Sequence, residues 1–233
     1  MKKIIRAWPW PLTLNERYDR QTRAIIRKVC VSHSICIDIG SFKGDILQYM
    51  IEAAPDARPI AFEPIPGQFQ YLKSHFGEKA TIYPYALGNT NTTTTFNFVR
   101  SNPTYSGLQQ RLYKRKEEIE TIQVEVKKLD DVISGELPIR LIKIDVEGGE
   151  FDVMLGARQT LEKWHPYIIF EHGIGGTDRY GVSPGDVYEY LNAMGYHITL
   201  MQEFLAGDKP NGFSKEDFEN QFHQQLNCYF LAY

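Results

Sequence analysis

The densest group of chemistry-bearing side chains is the stretch Lys143-Ile144-Asp145-Val146-Glu147-Gly148-Gly149-Glu150, in which three carboxylates fall within six residues. Carboxylates so close together can orient a hydroxyl and take its proton. They can equally hold Mg²⁺ or Mn²⁺, which prefer oxygen ligands. Asp145 is the leading candidate and Glu147 the next, because Gly148 and Gly149 allow the turn carrying Glu147 tight geometry. Glu150 opens a helix, where the helix dipole favours a carboxylate whatever its other role. Downstream, Glu171 is followed by His172, and a histidine can act as general base near neutral pH; the competing reading of His172 is a loop residue with no role. Upstream lie Asp38-Ile39-Gly40-Ser41-Phe42-Lys43-Gly44, spaced D-x-G-x-x-x-G, and Glu63-Pro64.

The elements that must position these groups follow from the periodicity. Ser34–Gly40 reads as a strand ending in glycine, and a helix from about Gly44 to Ala53 follows with Ile46, Leu47, Met50 and Ile51 on one face. Pro59–Phe62 is a second strand, Gly67–His75 a helix, and Ala80–Tyr85 a third strand. This alternation predicts a parallel sheet with helices on its faces. Thr92–Val99 and Thr121–Val126 read as strands around a polar loop, an antiparallel excursion. The winding resumes with strand Arg140–Ile144, a helix from about Glu150 to Trp164, and strand Tyr167–Phe170. The glycine-rich loop Gly173–Gly181 comes next, then a helix from Pro184 to about Met194 and strands His197–Met201 and Asn227–Ala232. A helix capped by Asn15 and running to about Val31 makes residues 1–33 an N-terminal helical extension. All 233 residues read as one domain, with no repeat and no linker.

In a doubly wound sheet a ligand binds beyond the carboxyl ends of the strands, where strand order reverses. Four of the five ends in this chain carry acids: Asp38, Glu63, Asp145 with Glu147, and Glu171; the fifth is Tyr85-Ala86. Charge buried there is costly unless paired or bound, which points to one polar ligand spanning the sheet edge. Glu63 is placed to accept hydrogen bonds from two ribose hydroxyls, the use dinucleotide folds make of such an acid. A nicotinamide enzyme would want G-x-G-x-x-G so that a pyrophosphate could sit on the helix N-terminus. Here Ser41-Phe42-Lys43-Gly44-Asp45 sets a carboxylate near that position. The loop suits a ligand with ribose and no pyrophosphate, and S-adenosyl-L-methionine is such a ligand.

Bulk composition narrows the partners. A net charge of −3 lacks the positive excess of nucleic-acid binders, and the run Arg111–Lys116 is followed by Glu117, Glu118 and Glu120, the pattern of a solvated helix face. The alternative for that run is a surface attracting an anionic acceptor. No apolar stretch approaches the roughly 20 residues of a membrane span, and Met1–Leu12 is a poor signal peptide. Cys30, Cys36 and Cys228 fit neither a zinc site nor a disulfide framework. The expectation is a cytoplasmic protein with no nucleic-acid or membrane partner.

The chain resembles the FkbM family of S-adenosylmethionine-dependent methyltransferases. The resemblance is carried by Ile37-Asp38-Ile39-Gly40 with Gly44, Ala61-Phe62-Glu63-Pro64, Ala86-Leu87-Gly88-Asn89 and Leu129-Asp130-Asp131. Its longest part is Leu141–Gly148, with Glu150, Gly156-Ala157 and Pro166 behind it. One departure is Ser41-Phe42, where family members often carry a small residue and asparagine. The resemblance implies an α/β, Rossmann-like class I methyltransferase fold: a mostly parallel seven-stranded sheet with an antiparallel insertion and an N-terminal helix. It implies an O-methyltransferase acting on a hydroxyl of a sugar or small natural product. Asp38, Gly40, Ser41, Gly44, Glu63, Pro64, Ala86 and Asp145 are then the expected cofactor residues, and Asp145, Glu147 and His172 the expected catalytic ones. The segment 92–126 borders the acceptor, and no metal is assigned. The rival readings are a nicotinamide-dependent oxidoreductase and a non-catalytic binding protein on the same fold.

Overall fold

The computed structural model describes residues 13–111, 113, 115–207 and 210–233. The part of the N-terminal extension before residue 13, and Lys114 of the basic run, lie outside the described residues. In chain order the elements are α1 (Leu14–Val29), β1 (Ile35–Ile39), α2 (Asp45–Ala53), β2 (Ile60–Phe62), α3 (Pro66–Phe76), β3 (Thr81–Tyr83), β4 (Tyr85–Leu87), β5 (Thr92–Val99), β6 (Ile119–Lys127), α4 (Leu129–Val132) and β7 (Ile139–Ile144). There follow α5 (Glu150–Gly156), α6 (Arg158–Trp164), β8 (Tyr167–Glu171), α7 (Pro184–Ala193), β9 (Ile198–Thr199), α8 (Met201–Ala206), α9 (Lys215–His223) and β10 (Tyr229–Ala232).

Seven strands form one sheet in the order β3-β2-β1-β7-β8-β10-β9, parallel except for β10, which runs antiparallel to β8 and β9. The central strands are runs of Ile, Leu and Phe because both of their faces are covered by helices. Order reverses between β1 and β7, so the chain leaves their carboxyl ends in opposite directions and opens a crevice there. Register then fixes which side chains meet. Asp38 lies beside Lys143 and Ile39 beside Ile144 and Phe62, which brings Glu63 and Asp145 to the same edge. Ile144 pairs with Phe170 and Glu171 with Tyr229, so Glu171 and Tyr229 arrive next to Asp145.

Helix α1 is capped by Thr13, whose hydroxyl accepts from the Glu16 N–H, two residues earlier than the expected Asn15 cap. Its buried stripe of Tyr18, Thr22, Ile25, Ile26 and Val29 recurs every three to four residues and packs against Cys36, Leu141, Ile169 and Leu231 of the sheet. Burying side chains such as Ile25 and Ile26 contributes about 2 kcal/mol each.

Four expectations need correction. The single strand Ala80–Tyr85 is broken at Pro84, which has no N–H to donate; β3 stays in the main sheet and β4 joins a second one. That second sheet, ordered β4-β6-β5, is mixed: β4 and β6 are parallel and β5 and β6 antiparallel. The helix expected over Glu150–Trp164 is two helices. The Gly88 carbonyl oxygen presses on Gly156, where a side chain would lie 2.0 Å from it, and the Ala157 N–H turns to the Met154 carbonyl. Strand β9 is shorter than expected and gives way to α8; α8 and α9 arise where no helix was expected. Among the described residues no helix is long and apolar enough to cross a membrane.

Candidate functional site at the sheet switch point

A cavity of about 340 Å³ lies over the ends of β1, β2 and β7. On one side the chain leaves β1 through Gly40, whose φ of +81° is a left-handed conformation that suits glycine. A side chain there would sit 1.9 Å from the Asp145 carbonyl oxygen. Ser41 donates its hydroxyl to the Asp38 carbonyl at 2.9 Å and closes the turn. The Asp38 carboxylate is fully buried, and neither of its oxygens has a hydrogen-bond partner among the described residues. Its counter-charge is Lys143, 4.0 Å away. Burial raises the Asp38 carboxyl above the ordinary range, against the pull of Lys143.

Glu63, 3% exposed, ends β2 with both oxygens engaged. Oε2 accepts from the Phe42 N–H at 2.8 Å and Oε1 from the Ile65 N–H at 2.9 Å. Burial still pushes the carboxyl up to about 7. Each oxygen keeps a second lone pair for a ligand. Pro64, Ile65, Tyr85, Ala86, Leu87, Phe96 and Leu108 complete this side.

Across the cavity, Asp145 accepts from Lys143 Nζ at 2.9 Å and from the Tyr229 hydroxyl at 2.6 Å, both on Oδ2. Burial opposes its charge, but Lys143 and the two hydrogen bonds outweigh it and hold the carboxyl below its ordinary value. Burial likewise opposes the charge of Lys143, and Asp145 and Asp38 together hold its ammonium above the usual value. Glu147 stands at φ +63°, an uncommon conformation for a residue with a side chain, and is ion-paired with Arg111. Arg111 lies over the Tyr105 ring at 5.2 Å. Tyr180 accepts from the Gln109 N–H at 3.2 Å and ties the glycine-rich loop to the inserted segment. Carboxylate oxygens of Asp145, Glu147 and Glu171 all approach within 4.8 Å of one another. Burial, then Asp145 and Glu150, pushes Glu171 up to about 8.

The cavity brings together Asp38, Gly40, Ser41, Glu63, Pro64, Ala86, Asp145 and Glu147. Two expected residues do not reach it. Gly44 caps α2 at φ +76° and faces Leu72 and Phe76, so it serves packing. His172 is 1% exposed with its ring against Phe218 and Phe222, at 5.6 and 4.9 Å, and burial lowers it to about 4. It is a neutral core histidine. Glu150 also turns inward: its Oε1 accepts from the Val146 and Gly148 N–H groups and fastens the turn that carries Glu147. Among the described residues the basic run is no helix face: Arg111, Arg115 and Lys116 lie in irregular backbone, and Arg111 points at Glu147. Tyr229, Glu171 and Arg111 were missed as site residues. Glu171 carried a signal as a strand-end acid and Arg111 as part of the basic run, whereas Tyr229 carried none.

Residues 38–198 match the family model described as the methyltransferase FkbM domain. The chain belongs to the FkbM methyltransferase family. A relative named methyltransferase 1, from Beauveria bassiana, is 30% identical over 148 residues, which are 53% of this chain and 58% of that protein. The hexuronic acid methyltransferase AglP of Haloferax volcanii is 26% identical over 181 residues, 75% of this chain and 70% of its own. Among solved structures, the methyltransferase FkbM from Methylobacillus flagellatus KT superposes with a TM-score of 0.54 at 16% identity, over 87% of this chain and 44% of that one. The chain thus spans little more than half of the first relative and less than half of the solved one.

Membership of the FkbM family implies S-adenosylmethionine as cofactor, and the site fits it. The Asp38 carboxylate is buried without a hydrogen bond, Glu63 is held by two backbone donors, and Gly40 keeps the backbone bare where a side chain would collide. A pyrophosphate fits less well, since Asp45 opens α2 and lines the same wall.

Proposed function

We propose that this chain transfers a methyl group from S-adenosylmethionine to a hydroxyl oxygen of a sugar or small natural product. The observation that carries the reading is a single cavity with Glu63 and Asp38, whose oxygens accept no hydrogen bond among the described residues, on one side and Asp145 and Glu147 on the other. Glu63 accepts the ribose hydroxyls. Asp38, with Gly40 and Ser41, receives the amino-acid end, and Pro64 and Ala86 border the adenine. When bound, the cofactor supplies a methyl group already activated by its sulfonium.

The protein's remaining tasks are alignment and proton management. Asp145, kept ionised by Lys143 and Tyr229, accepts a hydrogen bond from the acceptor hydroxyl and orients its oxygen. The proton enters the group formed by Asp145, Glu147 and Glu171, where Glu171 binds a proton more tightly than Asp145. The inserted segment supplies Phe96, Ser106 and Leu108 to the cavity wall and Arg111 to Glu147, and so encloses the acceptor and excludes water. That enclosure and the net charge of −3 favour a small acceptor over nucleic acid. The hexuronic acid relative supports a sugar. The free thiols agree with a reducing, cytoplasmic setting.

Calorimetry with S-adenosylmethionine and with NAD tests the first half: binding of the former alone is expected. Transfer of labelled methyl to a panel of uronic acids, hydroxylated small molecules and RNA tests the second. Absence of S-adenosylmethionine binding overturns the reading, and transfer to RNA alone overturns the acceptor class.

A further inference from the structure

Two cysteines lie at the opposite end of β1 from Asp38 and Gly40. Cys30 is the residue that ends α1, and its N–H donates to the Ile26 carbonyl at 2.9 Å. Cys36 is the second residue of β1 and pairs with Leu141 of β7. The connecting chain turns back on itself, with the Ser34 N–H on the Val31 carbonyl at 2.8 Å and the Val31 N–H on the Ser34 hydroxyl at 2.9 Å. The turn brings the two sulfur atoms to 3.3 Å. Both thiols sit in the apolar layer between α1 and the sheet, beside Ile26, Met50 and Leu141. A disulfide bond is about 2.05 Å long, so the sulfurs need to close by only about 1.2 Å, within reach of small side-chain rotations.

We propose that Cys30 and Cys36 are a reversible oxidative modification site, forming an intramolecular disulfide with a two-electron oxidant of the peroxide class. The two sulfurs are not equivalent. Cys36 is fully buried, and Cys30, 9% exposed, is the less buried of the two. The hydrogen bond between the two sulfurs lowers the Cys30 thiol below its ordinary value, helped by Arg140, whose Nε is anchored on the Val29 carbonyl at 2.8 Å. The same hydrogen bond, with burial, holds Cys36 above its ordinary value. Thiolate character and access therefore coincide at Cys30, the combination that selects the cysteine attacked by an oxidant.

The steps balance. The Cys30 thiolate attacks one peroxide oxygen, the O–O bond breaks, and Cys30 sulfenic acid and hydroxide result. The Cys36 sulfur then attacks the sulfenic sulfur, the S–O bond breaks, and the departing hydroxide takes the Cys36 proton as water. Overall, two thiols and one hydrogen peroxide give one disulfide and two waters. The resolving thiol is already in contact, so the sulfenic acid is consumed before further oxidation. The bond pins the end of the N-terminal helix to the strand that carries the cofactor turn.

The test treats the full chain with hydrogen peroxide, blocks the remaining thiols with an alkylating agent in denaturant, and measures mass. Alkylation is expected at one of the three cysteines instead of all three. The tryptic peptide Val29–Lys43, which holds both cysteines, is expected to be about 2 Da lighter through an internal disulfide, and dithiothreitol restores it. Cys228→Ser behaves like the parent chain. Cys36→Ala is expected to trap Cys30 as a sulfenic acid that dimedone captures. The parent chain carries the deciding measurement, so the test stands even where Cys36→Ala fails to fold. Retention of both thiols, a disulfide through Cys228, or irreversible oxidation of Cys30 overturns the proposal.

Discussion

Glu63→Gln is the substitution that separates a ribose-binding carboxylate from a merely structural one. Both Glu63 oxygens accept from backbone N–H groups, Phe42 at 2.8 Å and Ile65 at 2.9 Å. A glutamine has one oxygen, so one of these donors must face the new NH₂. An unsatisfied buried donor costs about 1–3 kcal/mol, which lowers Tm by about 2–4 °C for each kcal/mol in a chain of this size. The ligand loses more, because hydrogen bonds to a charged acceptor contribute about 1.5–3 kcal/mol. S-adenosylmethionine affinity above pH 8 is therefore expected to fall about tenfold to a hundredfold. The pH dependence provides the second readout. Burial holds the Glu63 carboxyl at about 7, so it must release a proton before it can accept two ribose hydroxyls. As pH falls through that value the parent chain loses affinity, by about tenfold at pH 6 relative to pH 8, while the variant does not. The parent-to-variant affinity ratio thus shrinks toward acid. Calorimetric titration of both proteins from pH 5.5 to 8.5 checks this. A ratio near one at pH 8, or a ratio independent of pH, refutes the ribose-binding role.

The remaining predictions concern the rest of the site. Lys143→Met strands the buried Asp38 and Asp145 carboxylates and is expected to cost about 3–5 kcal/mol in urea unfolding; a loss under about 1 kcal/mol would mean the pair behaves as an exposed one. Gly40→Ala combines a left-handed φ with a contact of 1.9 Å to the Asp145 carbonyl, so binding of S-adenosylmethionine is expected to vanish and stability to fall by about 3 kcal/mol or more. Gly67→Ala, with nothing within 4 Å, is the silent control. His172→Phe keeps methyl transfer. The parent His172 is depressed to about 4 in the fold against 6.5 unfolded, so between those values the unfolded chain binds more protons and stability falls with falling pH. The variant escapes that loss, and thermal melts from pH 7 to 4 are expected to show it gaining on the parent only below about 6.5.

Much of the site was legible because a strand is a short apolar run with an abrupt polar end. Asp38, Glu63 and Asp145 each close such a run, and glycine or proline marks the stop nearby, so their arrival at one sheet edge followed once the alternation of strands and helices was seen. His172 misled for a related reason. Side chains alternate along a strand, so Glu171 and its neighbour face opposite ways. The aromatic pocket that takes His172 is built by α9, whose Lys215–His223 sequence is too polar to announce a helix. Gly44 has the spacing of a ligand turn, yet its exposed edge was claimed by Leu72 and Phe76 of the next helix.

What the amino-acid order determined by itself was therefore the set of strand ends, the acids they carry and the family to which the chain belongs. These are local properties, encoded within a few residues of one another. Tertiary structure alone decided which of those acids are charged and which are partnered. Asp145 owes its ionised state partly to Tyr229, 84 residues away, and Glu147 meets Arg111 from the inserted segment. Such pairings depend on strand order and register, and electrostatic energy depends on distances that only the folded chain sets.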